Sequence, residues 1–326
     1  MDHNTFPLVT IAIPTYNRAN GYLRNAIECA LKQTYQNIEV VVSDNCSSDN
    51  TGEIVKGYAD PRIRYFRQEA NIGANNNFNY CLDKAHGSYF LLFHDDDLID
   101  SDFVETCIKS LVNRADVGII QTGTRVIDVG GNVLREIPNR VGDASIEDFF
   151  RGWFAGRTAL YLCSTLFNTG RLREIGGFRS KHNLFQDVFA EVQLAALYGR
   201  VGIRDVKASF RKHTGEMTFA AKVLDWCEDS ICLLDVMCAL LPEKEKTLRS
   251  EGLPFFAKLN YNRAKAVKNP LRRIAAYIMV FKQFRYRYLP SKKHYLSPFV
   301  EMLSETFLYS WLRSVKRKIK RAPANG

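Results

Sequence analysis

The sequence predicts an α/β domain on a mostly parallel sheet covered by helices on both faces, followed by a helical, basic C-terminal region. Two patterns carry the first part. Short β-rich runs alternate with segments of helical spacing through the first hundred residues. The strand candidates are near-continuous apolar runs, as strands buried on both faces require. A charge asymmetry carries the second part. From Phe255 onward there are 17 Lys/Arg against only Glu301 and Glu305, so a stretch of net +15 follows 254 residues of net −5.

The elements follow in order. Val9–Ile13 reads as a buried strand closed by Pro14, and Asn20–Gln33 has helical spacing at Leu23, Ala26, Ile27, Ala30 and Leu31. Ile38–Ser43 is a second strand, Thr51–Tyr58 a short helix and Arg62–Arg67 a third strand. Asn75–Ala85 is helical, and Tyr89–Phe93 is a fourth strand running straight into His94-Asp95-Asp96-Asp97. Asp102–Ala115 reads as a helix, Val117–Gln121 as a strand, and Val126–Leu134 as a hairpin turning at Gly130-Gly131. Glu147–Trp153 and Val188–Tyr198 are helix candidates, with Ala208–Arg211 as the last strand. Beyond Thr214 the pattern turns helical, which sets a boundary between residues 1–214, with halves at 1–100 and 101–214, and 215–326.

A chain of 326 residues with 46% hydrophobic residues can bury a sizeable core and exceeds the usual single domain. Its eight cysteines are scattered, with no CxxC pair, which suits reduced thiols better than a disulfide framework or a zinc site. The opening MDHNTFPLVTIAIPTYNR puts no long apolar stretch behind a basic head, and no run of about 18 apolar residues follows. Neither a signal peptide nor a spanning helix is expected.

In a parallel sheet, ligands bind at the carboxyl ends of the strands, so the loops beginning at Pro14, Asp44, Asn71 and Asp95 are the ones that matter. The acidic triplet Asp95-Asp96-Asp97 packs three like charges together, an arrangement that favours a shared cation. Its hard oxygens suit Mg²⁺ or Mn²⁺ on a diphosphate; a solvated acidic turn before the helix at Asp102 is the plainer alternative. Asp44, at the end of a buried strand and before Asn45-Cys46-Ser47-Ser48-Asp49, can accept hydrogen bonds from a base or ribose, although the same residues also suit turns and caps. Tyr16 could stack on a base, and the Asn71–Asn77 loop turns at Gly73 with amides that could reach phosphate or sugar. Neither stretch is a GxGxxG or phosphate-loop motif, which argues against dinucleotide oxidoreductases and phosphate-loop NTPases.

Taken in order, these pieces resemble glycosyltransferase family 2, with its GT-A type, Rossmann-like sheet. The resemblance runs from about Val9 to Thr214 and is strongest to members that build O-antigen and capsular polysaccharides. Its carriers are Pro14–Asn17, Asp44–Asp49, Asn71–Asn77 and Asp95–Asp97, then Gly176-Gly177-Phe178, Gln186-Asp187 and Phe210-Arg211-Lys212-His213. The resemblance implies a nucleotide-sugar site of Pro14, Thr15, Tyr16, Asn17, Arg18, Asp44, Asn71, Gly73, Asn77 and Asp95. It further implies a divalent metal, Mn²⁺ or Mg²⁺, on Asp96, Asp97 and His213, and Asp187 as the catalytic base. Three departures stand out. Ser43 occupies the place of a first aspartate, Gln186 that of a glutamate, and Phe78 that of a basic residue near the diphosphate.

The expected reaction is an inverting sugar transfer from a nucleotide-sugar, UDP-linked by preference, to a saccharide or lipid-linked saccharide. The expected location is cytoplasmic, peripheral on the inner face of the cell membrane. Phe299–Arg321 and Leu271–Leu289 alternate apolar and basic residues at helical spacing, a pattern suited to an anionic lipid surface or to packing on the catalytic domain. Two other classes compete: a non-catalytic nucleotide- or polysaccharide-binding subunit, and a nucleic-acid-binding protein using the basic end. No nucleic-acid motif is present, and no nucleic-acid partner is expected.

Overall fold

The computed structural model describes residues 7–111, 114, 116–212 and 222–289. Nine strands form a single sheet. β1 (Val9–Thr15), β2 (Ile38–Asp44), β3 (Ile63–Arg67) and β4 (Tyr89–Leu92) are parallel, in the order β3-β2-β1-β4. Between them run α1 (Leu23–Leu31), α2 (Thr51–Lys56) and α3 (Ala74–Lys84). Every residue of β1, β2 and β4 is buried, which is why these strands are almost wholly apolar and β-branched. Pro14 lies past the last β1–β4 pair, Ala12 with Leu92, so its missing N–H interrupts no pairing there.

The outer half of the sheet is mixed. β5 (Leu98–Ile99) and α4 (Phe103–Lys109) follow the acidic triplet, and β6 (Ile119–Ile127) and β7 (Val133–Ile137) form a hairpin. Asp128 accepts from the Gly130 and Asn132 amides in its turn, and Gly131 takes the left-handed φ of 87° that the turn requires. α5 (Ile146–Phe154) is capped by Ser145, which accepts from Asp148 N–H. β8 (Thr165–Asn168), α6 (Thr169–Glu174), α7 (Gln186–Tyr198) and β9 (Arg200–Arg211) complete this half. β8 runs antiparallel to both β4 and β6, while β9 runs parallel to β6 and carries β5 at the sheet's edge.

Three helices follow: α8 (Val223–Leu240), α9 (Glu245–Lys265) and α10 (Pro270–Gln283). They share one core with the sheet, in which Trp226, Leu234, Phe256 and Tyr261 cluster with Phe149, Phe178, Phe185 and Val192. The change near Thr214 is therefore one of secondary structure, not of packing. Among the described residues, no helix is long and apolar enough to cross a membrane. The Phe299–Arg321 stretch lies outside the described residues.

Candidate active site

The loops after β1 and β2 are locked to one another by side chains. Asn17 adopts φ 53°; its amide donates to Ser47 Oγ, and its Oδ1 accepts from Ser48 N–H, both at 2.8 Å. Arg18 N–H donates to Thr51 Oγ1 and Ala19 N–H to Asp49. Tyr16, 46% exposed, is left projecting from this scaffold. Asp44 is fully buried. It accepts from Ser47 N–H at 2.8 Å and from the Tyr65 hydroxyl at 2.7 Å, with Arg67 Nε 3.9 Å away. Burial and the adjoining Asp44 carboxylate keep the Tyr65 hydroxyl protonated, above the usual phenol range.

The third loop is joined in the same way. Asn45 donates to Asn71 Oδ1 at 2.9 Å and accepts from Ile72 N–H, while Asn71 also accepts from Gly73 N–H. Gly73, at φ 81°, makes the turn into α3. Asn77 is buried and exchanges two hydrogen bonds with Ser43, at 2.6 and 3.0 Å. Ser43 thus fills the family's aspartate position with a bond that fixes α3 against the end of β2.

The acidic triplet leaves the end of β4 in three directions. Asp95 faces the β1 loop, accepting from Thr15 Oγ1 at 2.6 Å and pairing with Arg18 at 3.5 Å. Asp97 is buried; it accepts from Arg211 N–H at 2.9 Å and is hydrogen-bonded by the Cys163 thiol. Burial, and then the Asp96 carboxylate, push Asp97 well above the usual carboxylate range, and burial does the same to Cys163. Arg211 also donates to the Asp96 carbonyl at 2.7 Å and lies 4.2 Å from the Tyr22 ring centroid, so the end of β9 braces the triplet.

Asp96 and Asp97 are joined by His94, with ligand atoms of all three within 4.8 Å of one another. His94 stacks on Phe78 at 5.1 Å, and its Nε2 is buried without a hydrogen-bond partner. Burial pushes its pKa down, toward the neutral imidazole that a metal ligand must be. One imidazole and two carboxylates, with an unpaired nitrogen among them, suit a divalent ion of the Mn²⁺ kind. His94 was not among the expected ligands, although its place beside the triplet was visible in the sequence. His213, the third expected ligand, lies outside the described residues.

Asp187 stands in the first turn of α7. The surrounding protein raises its pKa from 3.8 to about 6, against the lowering effect of the Val188 and Asp187 backbone N–H groups. One turn on, Glu191 is fully buried, accepting from Thr165 Oγ1 at 2.5 Å while its other oxygen is unpartnered. Cys163 and Thr165 are two residues apart, so one short stretch before β8 touches both Asp97 and α7. That is how Asp187 comes to the same end of the sheet as the triplet.

The chain leading into α7 is held from behind. Asp229 of α8, fully buried, accepts from Ser180 Oγ, His182 N–H and Leu184 N–H at 2.7–3.1 Å. Nothing in the sequence marked Asp229, because its partners, a hydroxyl and two backbone amides, come from a loop more than forty residues away.

A sheet that is parallel where the donor-type loops gather, with a carboxylate–imidazole cluster at its switch to antiparallel pairing, is the fold of GT-A glycosyltransferases. The chain belongs to glycosyl transferase family 2, whose sequence model matches residues 10–175. An uncharacterized glycosyltransferase of Rickettsia felis is 37% identical over 191 residues, covering 56% of this chain and 30% of that protein. The chain thus spans less than a third of that relative. TarS 1–349 of S. aureus, solved with UDP-GlcNAc, is similar at a TM-score of 0.58 and 16% identity, over 85% of this chain and 89% of that one. The mannosyltransferase PcManGT of Pyrobaculum calidifontis, solved with GDP-Man and Mn²⁺, is similar at 0.56 and 18%, over 95% and 84%.

Proposed function

We propose that the chain is an inverting, metal-dependent glycosyltransferase. It moves a sugar from a nucleotide-sugar, UDP-linked by preference, to a saccharide or lipid-linked saccharide in cell-surface polysaccharide synthesis. The observation that carries this reading is the cluster of His94, Asp96 and Asp97, whose ligand atoms lie within 4.8 Å of one another with His94 Nε2 buried and without a partner among the described residues. Buried polar atoms are nearly always paired, so an unpaired imidazole nitrogen beside two carboxylates fits a bound cation.

In this reading Tyr16 lies against the base, and Asp44 accepts from the base edge when the Tyr65 hydroxyl turns aside. Asp95, with Thr15 and Arg18, borders the ribose and diphosphate; Asn71, Gly73 and Asn77 keep the adjoining loop in register. His94, Asp96 and Asp97 would hold the divalent ion, with His213 as a further candidate. A bound ion there supplies Lewis-acid stabilisation of the leaving diphosphate. Asp187 takes the proton from the acceptor hydroxyl as its oxygen attacks the anomeric carbon opposite the diphosphate; one displacement inverts that carbon. The enzyme works at the cytoplasmic face of the membrane, held peripherally by its basic C-terminal region. A thermal-shift screen of UDP, GDP, CDP and dTDP with and without Mn²⁺ tests the core of this reading. UDP with Mn²⁺ should raise the melting temperature most, and no response to any nucleotide would overturn it.

A further inference from the structure

Arg263, on α9, is a half-buried cation with no carboxylate within ion-pair distance among the described residues. Three guanidiniums elsewhere contrast with it: Arg151 lies on Glu251, Arg171 on Asp116 and Arg249 on Asp235, each within 2.8 Å. Arg263 instead lies over the Trp226 ring, 3.5 Å from its centroid, and 5.1 Å from that of Phe185. Among the described residues its one hydrogen bond is a 3.3 Å contact to Asn260 Oδ1, which leaves most of its five donors without a partner there.

The platform beneath it is rigid. Asn260 is fully buried and donates to Ser230 Oγ and the Phe256 carbonyl, and Ser230 Oγ in turn donates to the Trp226 carbonyl. The neighbouring acids are already committed, Glu228 to Lys181 and His182, and Asp229 to the Ser180–Leu184 loop. Burial lowers the Arg263 pKa to about 9, because the charge gives up water and gains no counter-charge. A guanidinium fixed by stacking presents a planar fork of N–H groups, the geometry that matches an oxyanion bidentately.

Phe185 immediately precedes Gln186-Asp187, so the guanidinium packs against the segment that leads into Asp187. We propose that Arg263, stacked on Trp226, receives an oxyanion carried by the acceptor, either a phosphate or a carboxylate. The assignment to the acceptor rests on the reading of Asp187 as base; the anion site itself does not.

The test is binding to the full chain in a chelator, which removes metal-assisted binding elsewhere. Inorganic phosphate and sodium glucuronate are titrated separately, read by Trp226 fluorescence and by calorimetry. Saturable binding should weaken by about tenfold or more in Arg263→Gln, the loss expected of a bidentate charged contact. Arg263→Lys, which keeps the charge and loses the fork, should fall between them and serves if the Gln variant does not fold. Preference for phosphate points to a phosphorylated acceptor, and preference for glucuronate to a uronic acid. No saturable binding of either, or equal binding in wild type and both variants, overturns the site. Asp187→Asn should bind phosphate as wild type does; if that variant retained full turnover, the base reading would fall and the anion site would stand.

Discussion

Replacing Asp187 with Asn should slow the enzyme and stabilise it at once. The carboxyl's pKa in the folded protein is about 6, against an ordinary 3.8, because burial penalises its charge. Between those two pH values the unfolded chain is ionised while the folded one still holds its proton. Folding is therefore favoured at low pH, and this contribution is lost as pH rises, completely so above about 6. The difference corresponds to about 3 kcal/mol that ionised Asp187 costs the native state at neutral pH. Asn keeps the shape and carries no charge. Urea denaturation at pH 7.5 should show the variant more stable, by up to about 3 kcal/mol, and the gap should close near pH 4. Turnover should fall by about 10²–10⁴ with donor affinity unchanged. The wild-type rate should itself decline as pH drops through about 6, when the base becomes protonated. A variant that is less stable at pH 7.5, or that loses donor binding in proportion to rate, would refute the reasoning and make Asp187 structural.

The other expectations are more direct. Asp96→Ala should abolish turnover, and His94→Ala should weaken Mn²⁺ binding in a direct titration by about 10-fold or more; full activity in a chelator would remove the metal reading. Asp229→Ala leaves the half-buried Ser180 hydroxyl and the His182 amide without an acceptor, so it should destabilise the fold by roughly 1–3 kcal/mol and lower kcat more than it alters donor affinity, as kinetics at a permissive temperature would reveal. GDP raising the melting temperature more than UDP would reassign the donor. Leu271 and Ile278, 66% and 63% exposed on the outer face of α10, stand among exposed Arg272, Lys282, Arg285 and Arg287. Changing both to Glu should release the protein from anionic vesicles in a salt-dependent sedimentation assay, since each nearby cation contributes about 1 kcal/mol; equal pelleting of wild type and variant would defeat membrane docking through α10.

The parallel half of the sheet was legible because its signals are local. Val9–Thr15, Ile38–Asp44 and Tyr89–Leu92 are apolar runs ending in polar turns, and the structure places them side by side with Tyr16, Asp44, Asn71 and Asp95 at one end. The boundaries that slipped have physical reasons. The helix expected over Asn20–Gln33 is only Leu23–Leu31, since the Arg18–Gly21 turn precedes it and Gln33 turns back to bond the Asp100 carbonyl. The strand expected over Val117–Gln121 runs on to Ile127, because β8 borders its first half and β7 its second. Leu98–Ile99 and Thr165–Asn168 are strands only through pairing with distant partners, β9 and β4, which no local window contains.

The C-terminal helices show where a charge count misleads about architecture. The +15 stretch suggested an electrostatic appendage, yet residues 255–265 supply Phe256, Ala257, Tyr261 and Ala264 to the same core as Phe185. Several of their cations lie on the outward faces, Lys258 and Lys265 on α9, then Arg272 and Lys282 on α10, while Arg263 and Arg273 pack inward. A chain cut near Leu253 would therefore lose core as well as charge, so membrane binding has to be probed by surface substitution and not by truncation. Asp229 and Arg263 belong to the segment after the family-matched residues 10–175, and both contact the few residues that lead into Asp187. In the proposed reading of Asp187 as base, the helices beyond the family match are what hold the approach to it.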